Sequence, residues 1–167
     1  MKCKTDKLPS IKNLNLWGND LEDISIIKDM PNIEICSLSL NKIFSLKDFA
    51  TCKKLSELYL RKNLVADLQE VKYLTFCPNL RVLWLWDNPI AEHPLYRPYI
   101  VKMLPDLVKL DNANVSPEEK VEAAKMSITE LDIISNNPLV NPGHVSLLNH
   151  YHHKTLNRIK IIIHEKM

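Results

Sequence analysis

The sequence predicts an α/β protein that folds as a right-handed solenoid of stacked repeats. Two copies of the pattern L-x-x-L-x-L-x-x-N-x-(apolar) begin at residues 55 and 80, variants begin at residues 11 and 33, and a partial copy begins at residue 107. The resulting intervals of 22, 22, 25 and 27 residues are those of one supersecondary unit per repeat. The pattern is that of a leucine-rich repeat, and five matches in register make chance agreement improbable.

Each repeat predicts one short strand on the concave face of the solenoid. The two apolar residues of L-x-L alternate with outward residues, as in a strand that is buried on one face. They should stack into one core, because a single repeat cannot bury its apolar face alone. The predicted inward pairs are Leu14/Leu16, Cys36/Leu38, Leu58/Leu60 and Leu83/Leu85. Apolar residues with helical spacing precede each repeat start, which predicts short helices or turns on the convex face.

An asparagine follows each predicted strand at the point where the chain turns away. A side-chain amide at that position can both donate to and accept from backbone groups on either side. The pattern therefore predicts a structural ladder of side-chain hydrogen bonds along the solenoid. Its members are Asn19, Asn41, Asn63 and Asn88.

The chain divides into four segments. Residues 1–10 form a short N-terminal segment, and residues 11–112 form a leucine-rich-repeat domain of about four repeats and a partial cap repeat. Residues 113–126 should form a capping helix, because Ser116-Pro117-Glu118-Glu119 is a capping box with proline at the first helical position. Residues 127–167 form a divergent tail, either helical or partly disordered.

The composition narrows the possible functions. A net charge of +2 with 25% charged residues is not that of a surface that coats nucleic acid or binds membranes, and there is no apolar run of 18 residues. A cytosolic or nuclear location is therefore expected. The four cysteines form no C-x-x-C pair, and Cys36, Cys52 and Cys77 fall on predicted core positions, which indicates reduced, buried thiols.

No constellation of residues predicts catalysis. Only two glycines occur, which excludes a glycine-rich phosphate loop, and no nucleophile with a matching base is present. The histidines at 150, 152 and 153 have no cysteine or carboxylate in matching register, so a solvated face is favoured over a metal site. His93 is interpreted as a loop residue without a partner. We expect no enzyme activity, no metal and no cofactor.

The outward residues of the strands predict a binding face instead. Concave surfaces are the usual working faces of solenoids, and tryptophan, tyrosine and arginine dominate protein–protein hot spots. The predicted partner-binding residues are Trp17, Glu57, Tyr59, Arg61, Trp84 and Trp86. An alternative stays open, in which Trp84 and Trp86 only pack on each other and on the cap. Since charges of both signs are interspersed here, a protein partner is favoured over nucleic acid.

Four sequence blocks carry a resemblance to a known family. Residues 14–26, 55–63, 80–89 and 104–112 resemble the family of cilia- and flagella-associated protein 410, within a wider group that has 22-residue repeats and a C-terminal cap. The outward residues Trp17, Glu57, Tyr59, Arg61 and Trp84 make the match specific, and Tyr96, Arg97 and residues 104–111 resemble the group's cap.

The resemblance implies a non-catalytic scaffold of cilium formation and maintenance. It further implies a place in the cytoplasm, the cytoskeleton and the ciliary basal body, an association with a NIMA-related kinase, and links to cytoskeletal organisation and DNA-damage repair. The wider group leaves two alternatives: a subunit of a ribonucleoprotein particle, which binds mainly a protein partner beside RNA, and a phosphatase regulatory protein.

Overall fold

The computed structural model describes residues 5–129 and 132–133, with side chains from residue 8 onward. Within these residues, six short strands form one sheet in the order β1-β2-β3-β4-β5-β6. The first five strands are parallel, and β6 returns antiparallel to β5. The strands are β1 Asn13–Asn15, β2 Ile35–Ser37, β3 Glu57–Tyr59, β4 Val82–Trp84, β5 Lys109–Leu110 and β6 Ala113–Asn114. This confirms the predicted solenoid with parallel strands.

Short helices form the convex side, as the spacing of apolar residues predicted. Each return segment is only long enough for one tight stretch of helix, which favours 3₁₀ geometry. The 3₁₀ helices are Thr5–Ser10, Ser25–Asp29, Lys47–Thr51, Leu68–Phe76 and Pro89–Glu92, and the α-helices are α1 Tyr96–Met103 and α2 Pro117–Lys125. Neighbouring returns are joined by side chains: the Glu70 carboxylate accepts from the Leu46 backbone N–H at 2.7 Å and the Ser45 hydroxyl at 2.9 Å.

The inward residues of the strands stack into one continuous core. Register pairs Leu14 with Cys36, Cys36 with Leu58 and Leu58 with Leu83. Cys36, Leu58 and Leu83 are fully buried, whereas Leu14 is only half-buried because β1 has a neighbour on one side alone among the described residues. The depth of burial therefore depends on stacking rather than on the repeat sequence itself.

Asn63 shows what an inner member of the asparagine series does. Its Oδ1 accepts from the Ile43 backbone N–H of the preceding repeat at 3.0 Å. Its Nδ2 donates to the Leu38 carbonyl of that repeat at 3.0 Å and to the Leu60 carbonyl of its own repeat at 2.9 Å. Asn41 and Asn88 bond in the same way, and all three side chains are buried. Each of these amides joins two repeats.

The two ends of this series differ from its middle. Asn19 is exposed, and its Nδ2 donates at 2.9 Å to the Trp17 carbonyl of its own repeat. At the other end, Asp111 has a different role from the asparagines. Its Oδ1 accepts from the backbone N–H groups of Leu85 at 2.8 Å and Trp86 at 2.9 Å, whereas in an inner repeat the equivalent Leu60 N–H donates to the Trp84 backbone carbonyl. Asp111 Oδ2 accepts from the Tyr96 hydroxyl at 2.9 Å, so this carboxylate links the last full repeat to α1.

The cap after Asp111 begins with a strand. Residues 113–126 were expected to form a capping helix, but the left-handed backbone of Asp111 (φ 56°) turns the chain into β6 before α2 starts. The predicted capping box is present: Ser116 Oγ accepts from the Glu119 N–H, and the Glu119 carboxylate accepts from the Ser116 N–H. The Arg97 guanidinium pairs with that carboxylate and also donates to the Asn114 carbonyl at 2.9 Å. Arg97 of α1 therefore links β6 and α2.

His93 is buried and bonded at both ring nitrogens, so the expectation that it lacks a partner is wrong. Its Nδ1 accepts from the Leu95 backbone N–H at 3.0 Å, which leaves Nε2 as the donor to the Ile133 carbonyl at 3.1 Å. No local pattern signals this contact, because the two residues are 40 positions apart. Ile128 and Ile133 pack against the core, so this part of the predicted tail folds back on the solenoid.

The described cysteines are buried thiols, as the sequence predicted. Cys36, Cys52 and Cys77 are free and buried, and burial raises the pKa of Cys36 and Cys77 to about 12. Cys3 and the histidines at 150, 152 and 153 lie outside the described residues.

Across the part of the chain that the structure covers, no helix is long and apolar enough to cross a bilayer. Within the same part, no group of three His, Cys, Asp or Glu side chains could hold a metal ion.

Candidate functional site

The parallel register arranges the outward residues of the strands in three columns. The ladder continues beyond the strands, because Gly18 N–H donates to the Ser39 carbonyl and Lys62 N–H donates to the Trp86 carbonyl. We call these three columns together the concave face. The first column is Asn13, Ile35, Glu57, Val82 and Lys109; the second is Asn15, Ser37, Tyr59 and Trp84; the third is Trp17, Ser39, Arg61 and Trp86.

The centre of the concave face is a preformed cluster of Tyr59, Trp84 and Glu57. The rings of Tyr59 and Trp84 meet edge to face, with centroids 5.7 Å apart. The Tyr59 hydroxyl donates to Glu57 Oε2 at 2.5 Å. That hydrogen bond, together with partial burial and the nearby carboxylate charge, raises the pKa of Tyr59 to about 12. Tyr59 therefore stays a neutral hydrogen-bond donor at any physiological pH.

Charged residues border this cluster. Arg61 donates through Nε and Nη2 to Asp87 Oδ2, at 3.0 and 2.9 Å. The ammonium group of Lys109 lies 6.0 Å from the centroid of the Trp84 ring. Sequence reasoning missed Asp87 as the partner of Arg61, although the repeat alignment contains the signal: the seventh position of one repeat lies beside the eighth position of the next.

The tryptophans have different environments. Trp17 and Trp86 are 59% and 51% exposed, whereas Trp84 is half-buried against Tyr59. The Trp84 indole Nε1 is buried, and no hydrogen-bond acceptor for it lies among the described residues. Trp86 is thus not buried by packing on the cap. Two large apolar side chains stand free at opposite ends of the third column.

Between these two tryptophans, the concave face carries short side chains. Ser37 and Ser39 occupy the second repeat, and Ser39 is only 8% exposed although it belongs to an outward column. Side chains on both sides of it are long: Trp17 on the first repeat and Arg61 on the third. The structure therefore brings the six predicted partner-binding residues onto one face, with short serine side chains at the second repeat.

The convex side has a cavity. This cavity of about 310 Å³ is lined by Gln69, Lys72, Tyr99, Lys102, Met103, Ile128 and Ile133. The segment that carries Ile133 closes one side of it through the hydrogen bond to His93. Its lining is largely apolar with two lysines, and it contains no acid–base pair that would suggest catalysis.

Comparison with known proteins identifies relatives of similar repeat sequence. A chain of 45% identity over 120 residues is human cilia- and flagella-associated protein 410, of which the match covers 47%. The mouse protein of the same name is 44% identical over 124 residues, which is 73% of this chain and 50% of that protein. The chain therefore spans about half the length of these curated relatives. An uncharacterised Caenorhabditis elegans protein is 41% identical over 134 residues and is covered to 28%.

Solved structures of similar shape support the fold. The Drosophila melanogaster SNF/U2A' complex contains a chain that superposes with a TM-score of 0.57 at 19% identity, covering 71% of this chain and 82% of that one. A leucine-rich-repeat protein of Leptospira interrogans, LIC12759, gives a TM-score of 0.54 at 33% identity, covering 62% of this chain and 26% of that one. The first likeness, at its low identity, concerns the fold alone.

The family itself follows from a direct match. The sequence model described as leucine-rich repeat matches residues 4–132, which is most of the chain and includes every strand and helix described above. Together with the relatives, this confirms the resemblance to cilia- and flagella-associated protein 410. The chain belongs to the leucine-rich-repeat family.

Proposed function

We propose that this protein is a non-catalytic interaction scaffold that binds a protein partner through its concave face. The observation that carries the proposal is the pair of exposed tryptophans, Trp17 and Trp86, beside the preformed Tyr59–Trp84 cluster. Large aromatic side chains that remain exposed next to a rigid cluster are typical of binding hot spots, where a few residues supply most of the affinity.

The biological setting is proposed from the relatives. The name of these relatives associates them with cilia and flagella, and we propose that this protein likewise acts in cilium formation and maintenance. The family resemblance adds finer proposals: a NIMA-related kinase as the partner, a location in cytoplasm, cytoskeleton and basal body, and participation in DNA-damage repair.

The electrostatics favour protein over nucleic acid. Arg61 is paired with Asp87, Lys12 with Glu34 and Lys42 with Asp20. A nucleic-acid groove needs a stripe of cations that are free to neutralise phosphates. Charge pairs of this kind leave no such stripe across the described strands, which supports a protein partner.

A matched set of surface variants tests the site. Trp17→Ala and Trp86→Ala remove exposed side chains of the concave face, and Phe44→Ala removes an aromatic side chain that is 57% exposed outside its columns. We expect the tryptophan double variant to lose partners recovered by affinity capture from ciliated cells, while Phe44→Ala recovers them like the parent. If the parent, the tryptophan double variant and Phe44→Ala recovered partners equally, the concave face could not be the binding site.

Proximity labelling distinguishes the biological settings. Basal-body signal with a NIMA-related kinase among the labelled proteins is the expected result. Nuclear signal with splicing proteins and co-purified RNA that is released by salt would favour the ribonucleoprotein alternative. Recovery of a phosphatase catalytic subunit would favour the phosphatase regulator.

A further inference from the structure

We infer that the partner presents an α-helix to the concave face, with a basic residue facing Glu57 and an acidic residue facing Lys109. The helix axis runs across the strands, over the second column. The inference rests on the proposed function, because it assigns a kind of partner to the same surface. Three independent features of the structure lead to it: backbone pairing, charge and dimensions.

Backbone pairing disfavours an extended partner on this face. The concave face is the flat side of a sheet, where the backbone N–H and C=O groups of β2, β3 and β4 already pair with neighbouring strands. An extended segment buried there would leave its own backbone groups without partners, at a cost of about 1–3 kcal/mol for each one. A helix satisfies its backbone internally and avoids this cost.

Just beyond β1, the outer edge is also less open to an added strand at Trp17. Leu16 and Gly18 donate their N–H groups to the Ser37 and Ser39 carbonyls, so the N–H and C=O of Trp17 point to the outer side. The Trp17 N–H is taken up by the Asn15 side chain at 3.1 Å, and the Trp17 carbonyl by the Asn19 side chain at 2.9 Å. Natural edge strands are commonly protected from pairing in such ways.

The first column carries two charges of opposite sign, Glu57, which accepts from the Tyr59 hydroxyl, and Lys109, which lies over the Trp84 ring. Glu57 and Lys109 are the members of that column that carry charge, and neither forms a salt bridge within the described residues. Val82 lies between them in register. Two strand spacings separate them by about 10 Å, which is the length of about seven residues of helix at 1.5 Å each. A basic residue and an acidic residue at i and i+7 match this spacing.

The dimensions of the concave face fit a helix. The first and third columns are four residues apart along each strand, which is about 13 Å and close to the helix diameter of about 10–12 Å. A helix over the second column would lie on Ser37, Tyr59 and Trp84, with the charged pair on one flank and Trp17 and Trp86 on the other. The low serine side chains leave room for one end of it.

The test is a selection from a displayed library of random peptides long enough for four helical turns, with the full chain as bait. All three tryptophans of the chain lie on the concave face, so intrinsic fluorescence reports binding there directly. We expect enrichment of amphipathic sequences with a basic and an acidic residue seven apart. A central proline should weaken such a peptide at least about tenfold, by removing its helix.

Charge reversal then tests the orientation. Lys109→Glu should weaken the selected peptide about tenfold, and exchange of its acidic residue for lysine should restore binding. The matched control Lys72→Glu, on the convex side, should change nothing. Enriched peptides that tolerate proline, or helices insensitive to Lys109→Glu, would overturn the inference while leaving concave binding intact, and so would a selection without any helical enrichment. Peptides that bind Trp17→Ala/Trp86→Ala like the parent would contradict the proposed function itself.

Discussion

The first and last parallel strands of the sheet each lack a further parallel repeat beside them, and the two ends are covered differently. At the C-terminal end, β5 is covered by β6, α1 and α2, and Leu107 and Leu110 are fully buried. At the other end, β1 has no further strand beside it among the described residues, and Leu14 is half-buried. The C-terminal end thus carries a strand and two helices, whereas the N-terminal end carries one short 3₁₀ helix, Thr5–Ser10, whose Leu8 is buried in the core, together with side-chain hydrogen bonds from Asn15 and Asn19.

The difference teaches that a repeat is stabilised by its neighbours. The backbone residue before each asparagine adopts a left-handed conformation in all four repeats, with φ values of 69°, 56°, 55° and 58°. The first repeat places Gly18 there, which adopts it without strain. The inner repeats tolerate Leu40, Lys62 and Asp87, because stacking on both sides holds the backbone in place.

The largest expected effect compares equivalent leucines. Leu58→Ala empties a fully buried position between two strands and should cost about 3–5 kcal/mol. Leu14→Ala should cost only about 1–2 kcal/mol, because that side chain is already half-exposed. Equilibrium urea unfolding followed by far-ultraviolet circular dichroism measures both values. Equal losses would show that β1 is as well supported as β3.

The next comparison concerns the asparagines. Asn63→Ala removes partners from Ile43, Leu38 and Leu60 at a buried position, so we expect a loss of about 1–3 kcal/mol. Asn19→Ala removes one exposed hydrogen bond and should cost about 0.5 kcal/mol. The same unfolding experiment applies. An unchanged midpoint for Asn63→Ala would contradict the role assigned to that amide.

Acid should loosen the capped end selectively. The hydrogen bond from Arg97, followed by that from the Ser116 N–H, lowers the pKa of Glu119 from 4.5 to about 2. The stabilisation is therefore present above pH 4.5 and is lost as the pH falls from 4.5 toward about 2. We expect about 1 kcal/mol, since the Glu119 side chain is 37% exposed and partly screened. Glu119→Gln should lower stability at neutral pH.

The pH dependence supplies the check. Between pH 4.5 and 2, the difference in stability between the parent and Glu119→Gln should shrink. Measurement of the unfolding midpoint at several pH values tests this directly. A difference that stays constant over that range would mean that the ion pair with Arg97 does not stabilise the cap.

The smallest effect concerns the left-handed positions. Gly18→Ala should cost about 1 kcal/mol from backbone conformation alone, because an added Cβ meets no atom within 4 Å. Leu40→Gly, at the equivalent position of the second repeat, removes the same strain and should change stability by about 1 kcal/mol or less, in the stabilising direction. Thermal unfolding resolves both. If Leu40→Gly lost as much stability as Gly18→Ala, relief of backbone strain could not be the main effect at that position.

Much of the fold could be predicted from the sequence because the repeat pattern occurs four times, with a fifth, partial copy. The spacing of Leu58, Leu60 and Asn63 fixes a strand, its buried face and its turn, and each further copy repeats the same constraints. The concave columns could be assigned for the same reason. Contacts outside the repeat could not. The hydrogen bond of His93 with Ile133, and those of the Asp111 carboxylate to the backbone of the preceding repeat, depend on tertiary packing that no local pattern encodes.

The most direct test of concave binding is site-specific photo-crosslinking in ciliated cells. A photoreactive amino acid at Ser37, the last residue of β2, is compared with the same residue at the exposed Ser25 of the convex 3₁₀ helix. Docking on the concave face predicts a discrete protein adduct from position 37 and none from position 25. The same adduct from both positions, or one from position 25 alone, would contradict it.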